Sequence, residues 1–167
     1  MDKFYPEGFM HDTTDGADKL SLRALEESLE KGKILEAVVT LCDAEHNLIV
    51  DLGKIRGIIP RNEGAVGIAE GSVRDIALIS RVGKSVALIV TDIVTENGKV
   101  TATLSRRAAQ EKCGKEYIEK LSVGDIIDAK ITHLENFGAF CDIGCGINAL
   151  LPIDNISVSR IPHPDAR

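Results

Sequence analysis

The sequence predicts an all-β protein with short flanking helices, built as two five-stranded barrels in tandem, the second of them incomplete. Three observations predict it. One stretch of chain recurs 92 positions further on; apolar and polar residues alternate with period two at the start of both copies; and an Asn97-Gly98 pair separates two strand-like runs in the first copy.

The repeat is read directly. Lys31 to Thr40, with Gly32 near its start, aligns with Val123 to Thr132, with Gly124 near its start; Val50-Asp51-Leu52-Gly53 aligns with Cys141-Asp142-Ile143-Gly144; and Ile58-Ile59-Pro60 aligns with Leu150-Leu151-Pro152. One-residue slips between these blocks fall in loops, as two copies of one fold would show. Leu35, Ala37, Val39 and Leu41 alternate with Glu36, Val38 and Thr40, and Ile127, Ala129 and Ile131 alternate with Asp128, Lys130 and Thr132, so each copy is expected to open with a half-buried strand. A second strand is expected near 48–52 and 139–143, and a third near 55–59 and 147–151, with glycines between them.

The first copy continues with Ser72 to Ile79, a short helix candidate whose Ser72-x-x-Asp75 start approximates a capping box. Strands at 85–94 and 99–104 follow, joined through Asn97-Gly98, a strong hairpin signal. Five strands with a short helix between the third and fourth make an OB-type barrel, which hides its own edges. Leu22, Leu25 and Leu29 before it, and Ala109, Cys113 and Tyr117 after it, recur at helical spacing and read as packing braces. The expected division is a segment at 1–30, a first barrel at 31–106, a linker helix at 107–121 and a second, truncated barrel at 122–167.

Composition narrows function. A net charge of −6 argues against a generally salt-driven nucleic-acid binder, so any such binding must use a local face. Four cysteines (Cys42, Cys113, Cys141 and Cys145) without regular spacing are expected as free thiols in a reducing compartment. Cys141 and Cys145, even with His133 nearby, lack a second ligand pair to close a tetrahedron, so neither metal nor cofactor is expected. The stretch from Met1 to Gly16 has no cationic start and no apolar run, so neither a signal peptide nor a membrane partner is expected, and the cytoplasm is the expected location. No Ser-His-Asp order, phosphate loop or carboxylate pair points to an enzyme.

Trp is absent and Phe occurs only four times, so each aromatic position is informative. Alternation puts Ala139, Cys141 and Ile143 on one face and Phe140 and Asp142 on the other; if the first face fills a barrel, Phe140 points outward. Gly138 lets Phe137 sit close beside the same surface, giving adjacent aromatic plates of the kind on which single-stranded bases stack.

Val123-Gly124-Asp125, His133 through Gly144 with its Phe137-Gly138-Ala139-Phe140 core, and Ala149-Leu150-Leu151-Pro152 together resemble the opening three strands of a domain of the ribosomal protein S-one family. The first copy resembles the whole domain from Gly32 to Arg106, with its central signature decayed. The resemblance implies single-stranded RNA as partner, held by Phe137 and Phe140 with Lys130, His133 and Arg160 beside them, and by Lys99 in the first copy's hairpin. It also implies translation or RNA metabolism in a bacterial-type protein, with the ribosome or ribosomal proteins as further partners. This sequence departs from the family in carrying Pro152 and Pro60 where a His is common, and in placing no aromatic platform in the first copy. A protein-docking module anchoring to the ribosome is the alternative. The second copy reaches Ser157 where the first enters its short helix, so a fragment of a longer protein is expected, in preference to an open barrel completed by self-association through its edges.

Overall fold

The computed structural model describes residues 4–9, 22–53 and 55–155. Strands β1 (Leu35–Cys42), β2 (Leu48–Asp51), β3 (Arg56–Ile59), β4 (Ser85–Glu96) and β5 (Lys99–Ser105) close into a barrel in the order β1-β2-β3-β5-β4, with β4 returning to β1. Every contact is antiparallel except β3 to β5, which is parallel and seals the barrel. The period-2 strand predicted for the first copy is present as β1, and Asn97 and Gly98 both take positive φ in the β4–β5 turn, at 51° and 76°.

Leu35, Val39, Leu48, Val50, Ile59, Val86, Leu88, Val90 and Leu104 fill the barrel. Helix α1 (Leu22–Lys31) covers β4 and adds Leu25 to this core; its buried Ser28 hydroxyl accepts the Val90 N–H at 3.0 Å and donates to the Lys33 carbonyl at 2.6 Å. Leu22 and Leu29, expected to pack with Leu25, are exposed.

Leu41 also departs from expectation. It is 55% exposed, because a β-bulge between Val39 and Leu41 reverses the inside-outside phase of β1 beyond that point. Helix α2 (Ile76–Ile79) is shorter than the Ser72 start implies: the Ser72 hydroxyl donates to the Gly67 carbonyl, and Asp75 spends its carboxylate on Arg61 and His46, so no capping box forms. Ser105 ends β5 and caps helix α3 (Arg106–Glu116) by accepting the Ala108 N–H at 2.8 Å.

Beyond α3 and a 3-10 turn at Ile118–Lys120, strands β6 (Lys130–Glu135), β7 (Gly138–Asp142) and β8 (Asn148–Pro152) form an antiparallel three-stranded sheet. Among the described residues it is open. Its register matches that of β1-β2-β3: bulges follow Val39 and Ile131, and the threonine in each bulge donates to a β-partner carbonyl, Thr40 to Ile49 at 3.1 Å and Thr132 to Phe140 at 3.2 Å. A 3-10 turn follows the third strand in both, at Arg61–Glu63 and Ile153–Asn155.

The opening strand expected through Ile127 and Ala129 begins only at Lys130, and Ile126 is 99% exposed. In the barrel, the first half of β1 is held by β4, Leu35 to Val38 pairing with Leu88 to Ser85. Among the described residues the second sheet has no counterpart of β4, so 125–129 has no ladder to join.

A second, smaller core joins the two units. Ala87 and Ile89 of β4, Ala109 and Cys113 of α3, and Cys145 and Ile147 of the β7–β8 loop meet there with Phe4 and Tyr117, whose rings stack at 5.6 Å.

Candidate nucleic-acid interface

The outward face of the second sheet is fixed by register. His133 lies opposite Phe140, and Phe140 opposite Leu150, so one row crosses all three strands. Phe140 is half-buried, and Phe137, in the tight β6–β7 turn, is 55% exposed. A Cβ on Gly138 would run into the Leu151 carbonyl oxygen, so only glycine lets β7 lie this close to β8 directly after Phe137.

The two phenylalanines do not form parallel plates. Their ring centres are 6.2 Å apart at 89°, edge to face. The near-parallel neighbour of Phe140 is the His133 ring, 6.3 Å away and inclined by 25°. The aromatic surface is therefore His133 and Phe140 with Phe137 standing against them. His133 is exposed, and its Nε2 lies 2.7 Å from the Glu135 carboxylate.

Lys130 is exposed and, by register, on the same face as Phe140 and His133. Lys99 is exposed in the barrel's β4–β5 hairpin, in a different sheet. Arg160 lies outside the described residues. The structure thus brings Phe137, Phe140 and His133 together with Lys130 on one sheet, and does not gather Lys99 with them.

Asp142, expected on the face of Phe140, is buried. It does share the face of Phe140, but at the end of β7 that meets the first barrel, where a strap of residues 4–9 covers it. Its carboxylate accepts the N–H groups of Glu7 at 2.8 Å, Gly144 at 2.9 Å and Gly146 at 3.0 Å. Burial pushes its pKa up, against the pull of those bonds.

The Glu7 carboxylate in turn binds buried Arg106 through Nε at 2.8 Å and Nη2 at 2.6 Å, and accepts the Ala87 N–H at 2.7 Å. Burial disfavours the Arg106 charge, but the bonds and charge of Glu7 outweigh it and hold its pKa above the usual arginine value. A Cβ on Gly146 would strike this pair, so the β7–β8 loop lies directly upon it.

Sequence reasoning missed this junction. Glu7 and Arg106 fall in no periodic pattern, and alternation marks the face of Asp142 but not what covers it; the one available cue was a second Asp-x-Gly, Asp142 and Gly144, repeating Asp51 and Gly53, where the Gly53 N–H is bound in the same way at 2.8 Å.

Residues 120–167 match the S1 RNA binding domain. That match spans all of β6, β7 and β8, and so contains the aromatic row just described. The chain is also similar to the small ribosomal subunit protein bS1 of Staphylococcus epidermidis, 32% identical over 149 residues covering 87% of this chain and 35% of that protein. With its counterpart in Staphylococcus aureus it is 31% identical over 145 residues, 84% of this chain and 34% of the other. The chain thus spans about a third of the length of these relatives. Both findings support the S1 resemblance, and the second extends the similarity well beyond the segment that matches the S1 domain.

The first barrel carries the same row with different chemistry: Leu41 lies opposite Ile49, and Ile49 opposite Ile58. No ring stands on it. Among the described residues no group of three His, Cys, Asp or Glu side chains is placed to hold a metal ion, and no helix is long and apolar enough to cross a membrane. All four cysteines are free; Cys113 and Cys145 are buried together in the second core, where the neighbouring Cys113 sulfur and burial push the Cys145 thiol up.

Proposed function

We propose that the face of β6-β7-β8 binds single-stranded RNA, that 122–167 is a second, incomplete domain of the same kind as 31–106, and that the chain is a piece of a longer bacterial RNA-binding protein of the S1 family acting in translation or RNA metabolism in the cytoplasm. The row of His133 and Phe140 with Phe137 against it, inside the segment that matches the S1 RNA binding domain, carries this reading. Shared register, bulge and threonine bond support the repeat. In this reading 1–30 and 107–121 are the flanking and linking segments.

The physics suits the proposed ligand. Bases stack on exposed rings with little sequence preference at about 1–3 kcal/mol each, which lets a chain of net charge −6 bind without a large basic surface. Lys130 supplies a phosphate contact on the same face, the family resemblance adds Arg160 as a further RNA contact, and Lys99 offers a separate backbone contact on the first barrel. No catalysis, metal or cofactor is part of this reading.

The test is fluorescence anisotropy of a labelled oligouridylate with the native chain and with a Phe137→Ala, Phe140→Ala variant whose fold is checked by circular dichroism. The expected result is binding by the native chain and a loss of about fivefold or more in the variant, as one or two lost stacks predict. Equal binding by both would overturn the reading.

The aliphatic row Leu41, Ile49 and Ile58 favours a second role for the first barrel, docking to a protein such as a ribosomal component. The outer edges of β6 and β8, unpaired among the described residues, are where self-association would occur.

A further inference from the structure

The aromatic row borders the first barrel. Between the two units runs a cleft of about 340 Å³, with Thr132, His133 and Asn148 on the sheet side, Ser80 and Arg81 on the barrel side, and Arg106 at its floor. His133 belongs to both places, since its ring also stacks beside Phe140. A strand lying across the row therefore has the cleft as its continuation.

The two arginines are not equivalent. Arg106 is fully engaged by Glu7 and by the Gly64 carbonyl at 3.3 Å. Arg81 reaches the same carboxylate only at 3.8 Å, too far for a hydrogen bond, and its side chain remains 27% exposed. Among the described residues no carboxylate lies within hydrogen-bonding distance of it. Asp142, the nearby acid, is committed to three backbone N–H groups. Burial and the neighbouring Arg106 cation push the Arg81 pKa down, a penalty that an anion in the cleft would reverse.

We infer that Arg81 binds a phosphate of the same RNA strand that stacks on Phe140, so that the first barrel completes the second unit's site from across the cleft. The inference rests on the RNA-binding reading above. It gives the first barrel a role in RNA binding that uses the end of α2 rather than the barrel's own β1-β2-β3 face. A guanidinium suits this place because it presents a planar fork of donors to phosphate oxygens.

The experiment measures oligouridylate affinity over a series of salt concentrations for the native chain and for Arg81→Gln, Ser80→Glu, Phe140→Ala and Lys31→Gln. Lys31, exposed at the end of α1, controls for general loss of charge. Arg81→Gln is expected to weaken binding about 3- to 10-fold at low salt and to reduce the slope of log affinity against log salt by ~0.7, one phosphate's share for a single strand. Ser80→Glu, which keeps Arg81 but brings a negative charge to the cleft, is expected to weaken binding with an unchanged melting temperature; it decides the matter if Arg81→Gln destabilises the fold.

Native affinity and slope in both cleft variants, with binding lost in Phe140→Ala, would overturn the role of Arg81 and leave the aromatic face standing. A loss matched by Lys31→Gln would overturn it too. Native binding by Phe140→Ala would instead sink the RNA reading of the face itself.

Discussion

Two units of one chain share a three-stranded register and differ in what they place on it. In the first barrel the cross-strand row is Leu41, Ile49 and Ile58; in the second sheet it is His133, Phe140 and Leu150. The backbone device that presents each row is the same, a bulge whose threonine bonds across to the next strand. Presentation and chemistry are thus separable: the bulge decides that position 41 or 133 faces outward, and the side chain there decides what it meets.

The closed barrel carries its own core, whereas the open sheet leans on a junction that the N-terminal strap completes. The largest way to break the comparison is therefore at that junction. Glu7→Ala leaves the buried Arg106 without its carboxylate, and is expected to cost about 3–5 kcal/mol in urea unfolding, with the second sheet losing structure before the barrel. A single transition with an unchanged midpoint would show that the strap adds nothing.

The next effect is a gain. Leu41→His with Ile49→Phe moves the aromatic pair onto the barrel's row. In a chain lacking Phe137 and Phe140 it should recover about tenfold in oligouridylate affinity, roughly one stacked base. No recovery would mean that the second sheet's surroundings, and not its rings alone, make the site.

Smaller still is the bulge itself. Thr40→Val and Thr132→Val each remove one exposed hydroxyl bond and should each cost about 0.5–1 kcal/mol of stability. Unequal values measured by thermal melting would show that the two bulges are alike in shape only.

The smallest effect is confined to acid. Asp75, held by Arg61 and also by His46, has a carboxyl below its ordinary value, with the Arg61 hydrogen bond the largest cause. A lowered folded-state value stabilises the fold above the unfolded carboxylate range, and this contribution is lost as pH falls through the lowered value. Asp75→Asn should therefore melt below the native chain at neutral pH and converge with it in strong acid. It pins only the first unit, so a constant difference across pH would remove the electrostatic cause.

Much of this was legible in sequence because it is local. Period-2 alternation gave β1, Asn97-Gly98 gave the β4–β5 turn, and Phe137-Gly138-Ala139-Phe140 marked the outward-facing rings. The failures are places where a distant partner overrides local pattern. Ile127 and Ala129 alternate like β1 but among the described residues have no β4 to pair with; Asp142 obeys alternation yet is covered by a strap 135 residues away; and the phase of Leu41 depends on a bulge that composition does not mark. The mutual angle of Phe137 and Phe140 depends on χ angles, which spacing does not encode.

The Glu7–Arg106 pair also sets an order in time. Glu7 precedes its partner by 99 residues, and at about 5–20 residues per second a growing chain carries that carboxylate in water for on the order of 5–20 s before Arg106 is made. Local hairpins close in microseconds, so the early strands have ample opportunity to pair while the strap waits. Glu7 is thus made well before it can be enclosed, and the joint between the units is set only when synthesis has passed Asp142.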